Sequence, residues 1–191
     1  MNLILASASP RRQELLKLFG IPFTVRVADI DETMDPKAEA YDEVARLSRE
    51  KALAIVREAG DVVIAADTIV VCEGRILGKP RSEDHARQML RLLSGRDHQV
   101  MTGCTILSDG ICHSFTEVTD LHFRELTQKE IERYVRSGEP MDKAGSYGIQ
   151  GGAALFCTRM VGDYYNVMGL PVCALGEHLK RLVPQLMEEF L

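Results

Sequence analysis

The sequence has no tryptophan, no C-x-x-C pair and no long apolar run. Because a membrane-spanning helix needs about 20 consecutive apolar residues, we expect no such span. The opening run Met1–Ala8 is short, apolar and strand-like, and it lacks the basic segment of a signal peptide, so we expect a cytoplasmic protein. The five cysteines are odd in number, which favours buried free thiols over disulfides or zinc ligands.

An excess of basic residues is also missing, because the formal net charge is -5. A general nucleic-acid binder usually carries positive charge, so a nucleic-acid partner is disfavoured, and a polyanionic ligand would need a local cationic pocket. The 191 residues are 46% hydrophobic and 27% charged, which is typical of a chain that buries a real core. With no repeat, low-complexity tract or linker, residues 1–191 are predicted to form one domain.

Hydrophobic periodicity and turn signals predict strands, hairpins and helices in mixed order, which indicates an α/β fold with a mixed sheet. The predicted strands are Asn2–Ala6, Phe23–Ala28, Val62–Ala66, Ile69–Cys72, Gln99–Leu107 and Ile111–Phe123, with shorter ones at 153–157 and 164–167. The predicted helices are Arg11–Phe19, Glu43–Ala59, one from Ser82 to Leu93, one from Thr127 to Arg136, Val172–Leu182 and a short last one opened by Pro184. An acidic loop, Asp29–Pro36, follows the second strand.

The first candidate site is the turn Ser7–Arg12, which joins a buried strand to the start of a helix. A helix N-terminus offers unpaired N–H groups and partial positive charge to phosphate oxygens. Ser7 and Ser9 add hydroxyls, and Arg11 and Arg12 add guanidinium groups that grip phosphate with a forked geometry. The alternative is that Ser9 only caps the helix and both arginines are solvated.

The second candidate site is Asp67–Thr68, which follows the apolar run Val62–Ala66 and interrupts the predicted strand. A carboxylate is seldom buried without a partner, and ligands bind at strand ends of α/β sheets. A structural Asp that pairs with an arginine or caps a turn is the alternative. The acidic pair Asp31–Glu32 is usually a solvated turn, but if its loop folds back towards Asp67, two or three converging carboxylates predict a Mg²⁺ or Mn²⁺ site.

Two lysines and a glycine-rich segment complete the candidates. Lys51 falls on the apolar side of its helix, where a snorkelling lysine is the common alternative, and Lys79 lies in a turn after a strand. The segment Met141–Gly152 lacks the order of a Walker A loop, yet its Gln150 could offer a donor and an acceptor to a base edge. The histidines at 85, 98, 113 and 122 show no metal-ligand spacing.

Taken together and in order, these motifs resemble the Maf-like nucleoside triphosphate pyrophosphatases. The resemblance runs from Leu3 to Leu182. Its motifs are Leu5–Arg12, Ala66–Thr68, Leu77–Pro80, Leu93–Arg96, Glu139–Gly145, Tyr147–Gly151 and Gly162–Pro171. It implies a Maf/ITPase-like mixed α/β fold, with an elongated, twisted sheet flanked by helices and two lobes around a central cleft. A homodimer is also implied.

The resemblance also implies roles for single residues. Asp67 matches the proton acceptor, and a divalent metal would be held by Asp67 and Glu32. Residues tied to substrate choice are Arg11, Thr68 and Gln150. Residues that match the polar pocket are Ser7, Arg12, Glu32, Lys51 and Lys79. With Ser9 of the first candidate site, Ser7, Arg12, Lys51 and Lys79 form the expected phosphate-binding set. The Tyr-Gly-Ile-Gln form at 147–150 is similar to the branch that acts on dTTP and UTP, while Ser146 is a mild departure from the family pattern.

The expected activity is hydrolysis of dTTP and UTP to the monophosphate and pyrophosphate, a nucleotide-pool house-cleaning role. One alternative is a non-catalytic nucleotide-binding regulator of cell division and septum formation. Another is an enzyme for modified pyrimidine nucleotides such as 5-methyl-UTP or pseudo-UTP. A nucleic-acid module would need a basic face, which the net charge of -5 disfavours.

Overall fold

The structure is a computed structural model that describes residues 1–27, 29–35 and 38–188. Ala28, at the end of the second predicted strand, and Pro36, at the end of the acidic loop, lie outside the described residues. The strands are β1 (Leu3–Leu5), β2 (Phe23–Val25), β3 (Val62–Cys72), β4 (Arg75–Leu77), β5 (Asp97–Ser108), β6 (Ile111–Phe123) and β7 (Cys157–Val161). The α-helices are α1 (Pro10–Lys17), α2 (Ala40–Leu53), α3 (Glu83–Leu93), α4 (Gln128–Arg136), α5 (Tyr164–Met168), α6 (Val172–Leu182) and α7 (Pro184–Glu188).

Parallel and antiparallel pairs occur in the same sheet, which the described residues form in the order β2-β1-β3-β5-β6-β7 with β4 paired to β3. Strand β1 is parallel to both β2 and β3, whereas β3 and β4 form an antiparallel hairpin. Glu73 and Gly74 at the hairpin tip have φ angles of 50° and 72°, as a two-residue type I′ turn requires. The predicted mixed α/β class is therefore confirmed.

Two compact units divide the chain. The first contains Met1–Asp67, Thr102–Glu117 and the residues from Gly169 onward, and the second contains Thr68–Met101 and Val118–Met168. In the first unit, β1 and residues 62–66 of β3 are buried throughout. Because both faces of these strands are covered, they appear in the sequence as continuous apolar runs. None of the helices among the described residues has the length and apolar character needed to cross a membrane.

Helix α2 lies directly on β5 at Gly103 in the first unit. A Cβ atom on Gly103 would overlap the backbone carbonyl group of Val44, so only glycine permits this approach. Beside this contact, the buried hydroxyls of Ser48 and Thr105 hydrogen bond at 2.7 Å. The buried face of α2 is thereby fixed against the strand, and this fixes the direction of the polar side chains that follow along the same face.

Helix α2 ends at Leu53, six residues before the predicted end at Ala59. The apolar spacing continues to Ile55, but the residues that follow bond to other parts of the chain. The guanidinium of Arg26 donates to the Val56 carbonyl at 2.5 Å, and Arg57 donates to Asp109 at 2.8 Å. These tertiary contacts outweigh the local periodicity, so the predicted helix end was wrong.

The two short strands predicted at 153–157 and 164–167 were also wrong. Gly152–Leu155 is a 3₁₀ helix, and the strand begins only at Cys157. The segment Tyr164–Met168 is helix α5, whose start is capped by Asp163, since its Oδ1 accepts the Tyr165 N–H at 2.7 Å. An Asp directly before a short apolar segment is a helix-start signal that outweighs aromatic strand propensity here.

All five cysteines are free thiols, as predicted. Cys72 and Cys104 are buried, and burial raises the pKa of Cys104 to about 12. Cys112 and Cys173 are exposed, so the prediction of burial was wrong for these two.

His98 gives the second unit a defined acid sensitivity. Its side chain is only 4% exposed, its Nε2 and the Tyr147 hydroxyl hydrogen bond at 2.9 Å, and burial lowers its pKa to about 4. The unfolded chain binds a proton here near pH 6.5, whereas the folded chain does not. Folding stability from this group is therefore present above pH 6.5 and falls as the pH drops towards 4, by roughly 3 kcal/mol.

We expect His98→Gln to flatten the fall in unfolding free energy between pH 6.5 and 4.5. Urea denaturation at a series of pH values measures this slope. His85→Gln on α3 removes the same residue type from a partly exposed position and serves as the control. Equal slopes for the wild type and His98→Gln would show that His98 does not cause the acid sensitivity.

Candidate active site

Asp67 lies within β3 and does not separate two strands. The predicted interruption at Asp67–Thr68 was wrong, because β3 runs without a break from Val62 to Cys72. The strand accommodates a carboxylate here because Lys51 Nζ donates to Asp67 Oδ1 at 2.6 Å. The Asp67 side chain is 13% exposed, so this is a charge placed in the protein interior together with its partner.

Lys51 joins two carboxylates through one ammonium group. Besides Asp67, its Nζ contacts Glu32 Oε1 at 2.8 Å. Helix α2 directs the lysine to this position, because Lys51 follows the buried residues Leu47 and Ser48 by one helical turn. The acidic loop does therefore fold back towards Asp67, as the metal prediction required. The Lys51 side chain is only 14% exposed, so its head group is not snorkelling into solvent.

The loop that carries Glu32 is held by an ion pair on α2 that the sequence analysis missed. Glu43 is buried, and its Oε2 accepts the Asp35 N–H at 3.0 Å. Arg46 binds Glu43 with two hydrogen bonds of 2.8 Å, holds its pKa below the ordinary value and also donates to the Thr33 carbonyl. A charged residue one turn before Leu47, on the apolar face, was the available signal for this role.

The hydroxyl and guanidinium groups of the Ser7–Arg12 turn lie at the N-terminus of α1. Ser7 Oγ accepts the Ser9 N–H at 3.2 Å and an Arg12 N–H at 3.4 Å. Ser9 occupies the N-cap position, but its side chain makes no capping hydrogen bond. Its expected alternative role as a side-chain cap is therefore wrong, and Pro10 starts the helix. Arg11, the next residue, is partly exposed.

Arg12 is fixed by a distant backbone group. Its Nε donates to the Gly169 carbonyl at 2.8 Å, across 157 residues of sequence. Burial lowers the pKa of Arg12, and the nearby Asp67 carboxylate opposes that change. A guanidinium stays charged under these conditions. The first unit thus brings two cations, Arg12 and Lys51, together with the two carboxylates Asp67 and Glu32.

Three further predicted site residues belong to the second unit. Thr68 follows Asp67 along β3 and is partly exposed. Lys79 and Gln150 are both exposed. The Gly145 N–H donates to the Gly78 carbonyl at 3.1 Å, which ties the turn that carries Lys79 to the glycine-rich segment that carries Gln150.

The donor set of Glu32 and Asp67 fits a hard divalent cation. Both carboxylates already face one cation, the Lys51 ammonium, and oxygen donors are what Mg²⁺ and Mn²⁺ prefer. Within residues 1–27, 29–35 and 38–188, no group of three or more His, Cys, Asp or Glu side chains could hold a metal. Two protein carboxylates with phosphate and water ligands remain a common arrangement for Mg²⁺.

Residues 2–182 match a family model described as Maf-like protein. The chain belongs to the Maf-like family. This confirms the resemblance drawn from the seven motifs, all of which lie within the matched residues.

Named relatives of this Maf-like chain come from Bacillus cereus. A dTTP/UTP pyrophosphatase of strain G9842 is 49% identical over 181 residues, which cover 94% of this chain and 95% of the relative. A protein of the same name from strain B4264 is 48% identical over the same shares of the two chains. A solved structure of a HAM1 protein from Coxiella burnetii superposes with a TM-score of 0.51 at 16% identity, covering 95% of this chain and 99% of that one. This last likeness concerns the fold alone.

Proposed function

We propose that this Maf-like chain is a nucleoside triphosphate pyrophosphatase that hydrolyses dTTP and UTP to the monophosphate and pyrophosphate. The observation that carries the proposal is the 49% identity, over 94% of the chain, to a protein named dTTP/UTP pyrophosphatase. The polar cluster around Asp67 supports it, because it combines cations that suit phosphate with a carboxylate that suits proton transfer. Such an enzyme would serve nucleotide-pool house-cleaning in the cytoplasm.

In this proposal, basic side chains and the N-terminus of α1 bind the phosphate groups. In this proposal Arg12 holds phosphate oxygens while the Gly169 carbonyl and Ser7 fix its guanidinium plane. The N-terminal N–H groups of α1 and the Ser9 hydroxyl add donors at the same turn. Lys51 supplies a second positive charge. Lys79 of the second unit is proposed to contribute to phosphate binding as well.

Asp67 acts on the attacking water. Its carboxylate accepts a proton from the water as the new oxygen–phosphorus bond forms at the α-phosphorus. The bond from the α-phosphorus to the bridging oxygen breaks, and pyrophosphate leaves with that oxygen. Lys51 orients the carboxylate through its 2.6 Å hydrogen bond. Arg12 and Lys51 stabilise the charge that develops on the phosphate oxygens.

Asp67 and Glu32 would hold a divalent metal ion, Mg²⁺ or Mn²⁺, in this proposal. When bound, the ion supplies charge neutralisation of the phosphate oxygens. Glu32 is kept beside Asp67 by the loop contacts of Glu43 and Arg46. These loop contacts therefore matter for metal affinity, although neither residue is proposed as a ligand.

Substrate choice is proposed to rest on Arg11, Thr68 and Gln150. The exposed Gln150 amide offers both an acceptor and a donor, which suits the O4 and N3–H groups of uracil and thymine. These groups are also present in 5-methyl-UTP, and pseudo-UTP offers a similar imide edge. Modified pyrimidine triphosphates therefore remain within the proposed substrate range.

Pyrophosphate release over a panel of triphosphates tests the proposed function. With Mg²⁺ or Mn²⁺ present, we expect turnover of dTTP and UTP and of their modified forms, with much slower turnover of purine triphosphates. Excess EDTA should stop it. Nucleotide binding without pyrophosphate release, with either metal present, would contradict the enzymatic proposal and support a non-catalytic nucleotide-binding regulator.

A further inference from the structure

Two side chains that the proposed mechanism does not use accept hydrogen bonds from the two ends of the 148–152 turn, which contains Gln150. The Tyr134 hydroxyl accepts the Gly148 N–H at 3.0 Å. Glu139 Oε2 accepts the Gly152 N–H at 3.0 Å. All of these residues belong to the second unit. The five residues 148–152 are therefore fixed by their first and last amide groups, with Gln150 in the middle.

The side chains of Tyr134 and Glu139 are also hydrogen bonded to each other. The Tyr134 hydroxyl donates to Glu139 Oε1 at 2.8 Å while it accepts from Gly148. Burial raises the pKa of Tyr134, so the phenol keeps the proton that this donation needs. One carboxylate and one phenol thus form a continuous bracket, which we call the Tyr134–Glu139 bracket. It reaches from α4 to both ends of the turn.

The bracket leaves little room for side chains at the glycine positions of the turn. A Cβ atom on Gly151 would overlap the Glu139 carboxylate, and one on Gly152 would lie 3.2 Å from the Tyr134 ring. A Cβ atom on Gly148 would lie 2.7 Å from Cε of Lys143, whose ammonium donates to the Glu139 carbonyl at 2.7 Å. The turn packs on the bracket at van der Waals distance, so its backbone follows any change in the bracket.

We propose that Tyr134 and Glu139 are positioning residues for base recognition, because they fix the 148–152 turn in the shape that presents the Gln150 amide to a pyrimidine. The inference rests on the proposed function, in which Gln150 contacts the base. Neither bracket residue is proposed to contact the substrate. Their effect passes through the Gly148 and Gly152 amides, and it concerns the choice of base rather than the phosphate chemistry.

Equilibrium binding of α,β-imido-dTTP and α,β-imido-dCTP tests this inference without turnover. Thymine and cytosine differ in the hydrogen-bonding groups at positions 3 and 4, which are the groups that a fixed amide can distinguish. The Kd ratio is the Kd of α,β-imido-dCTP divided by that of α,β-imido-dTTP. We expect this ratio to fall about tenfold in Tyr134→Phe, which removes the acceptor for the Gly148 N–H. Gln150→Ala should give a fall of similar size.

Conservative and matched variants separate positioning from general stability. Glu139→Gln keeps an acceptor oxygen and should retain most of the discrimination, whereas Glu139→Ala should lose it. Glu132→Gln is the control, because Glu132 lies on α4 like Tyr134, but its carboxylate accepts hydrogen bonds from Arg87 and Gln128. It should leave the Kd ratio unchanged.

The outcomes distinguish this inference from the proposed function. If Tyr134→Phe and Glu139→Ala lower the unfolding midpoint but bind the two analogues with the wild-type ratio, the bracket is only structural and the inference is wrong. An unchanged ratio in Gln150→Ala would overturn it as well. Absence of pyrophosphate release by the wild type would instead contradict the proposed activity, since the binding ratios do not depend on hydrolysis.

Discussion

Asp67→Asn should lower kcat for dTTP by about 10²- to 10⁴-fold while the protein remains folded, because it removes a general base. An amide has nearly the shape of the carboxylate, and its oxygen can still accept the 2.6 Å hydrogen bond from Lys51. It cannot take the proton of the attacking water. KM should change less than kcat, since the groups on α1 that are proposed to bind phosphate are untouched. Pyrophosphate release under saturating dTTP measures the loss.

A second carboxylate next to the same strand supplies the matched control. Asp61 directly precedes β3 and is buried, but its oxygens accept hydrogen bonds from the Asn2 backbone and side chain and from the Glu58 N–H. Asp61→Asn should therefore lower the unfolding midpoint and leave kcat unchanged. Wild-type turnover in Asp67→Asn, or an equal loss of turnover in both variants, would refute the assignment of Asp67.

Helix starts could be predicted from the sequence where the capping residue and the residue it bonds to are neighbours along the chain. Ser82 caps α3 because its Oγ accepts the His85 N–H, and Thr127 with Glu130 forms the capping box of α4. Both helix starts had been predicted because the capping residues and the first turn are neighbours in sequence.

Contacts between distant segments explain what the sequence analysis missed. The strand was predicted to break at Asp67, since no local pattern shows that Lys51, 16 positions earlier, would neutralise the carboxylate inside it. The Gly169 carbonyl that fixes Arg12 is a backbone atom 157 positions away, and backbone atoms carry no residue-type signal. Glu43 could have been noticed, because a carboxylate on the apolar face of a helix requires a partner.

In the candidate site, too, residues marked by a local pattern were predicted, whereas residues whose role depends on distant contacts were not. Ser7, Arg12, Lys51 and Asp67 were selected by residue type and neighbouring pattern, and the first unit brings these four side chains into one polar cluster. The Tyr134–Glu139 bracket was not selected, although Glu139 belongs to a family motif. Its role depends on the fold, because Tyr134 and Glu139 accept hydrogen bonds from amides of the turn that lie 14 and 13 positions away in the sequence.

Arg12→Ala should lower kcat/KM for dTTP by about 10²- to 10³-fold, which is the usual effect of removing one preorganised donor to developing charge. Arg12→Lys should recover only a small part of this loss. A guanidinium can hold the Gly169 carbonyl through Nε at 2.8 Å while its other N–H groups keep a fixed direction towards an anion. An ammonium has no such rigid fork, so charge alone does not restore the geometry.

Arg26→Lys is the matched control, because Arg26 belongs to the same unit and also donates to a backbone carbonyl, that of Val56. It is exposed and has no proposed contact with substrate, so kcat/KM should stay at the wild-type value. Unfolding midpoints of all three variants separate a folding defect from a catalytic one. If Arg12→Lys turns over dTTP as fast as the wild type, the directional grip on phosphate is not needed, and Arg12 contributes only its charge.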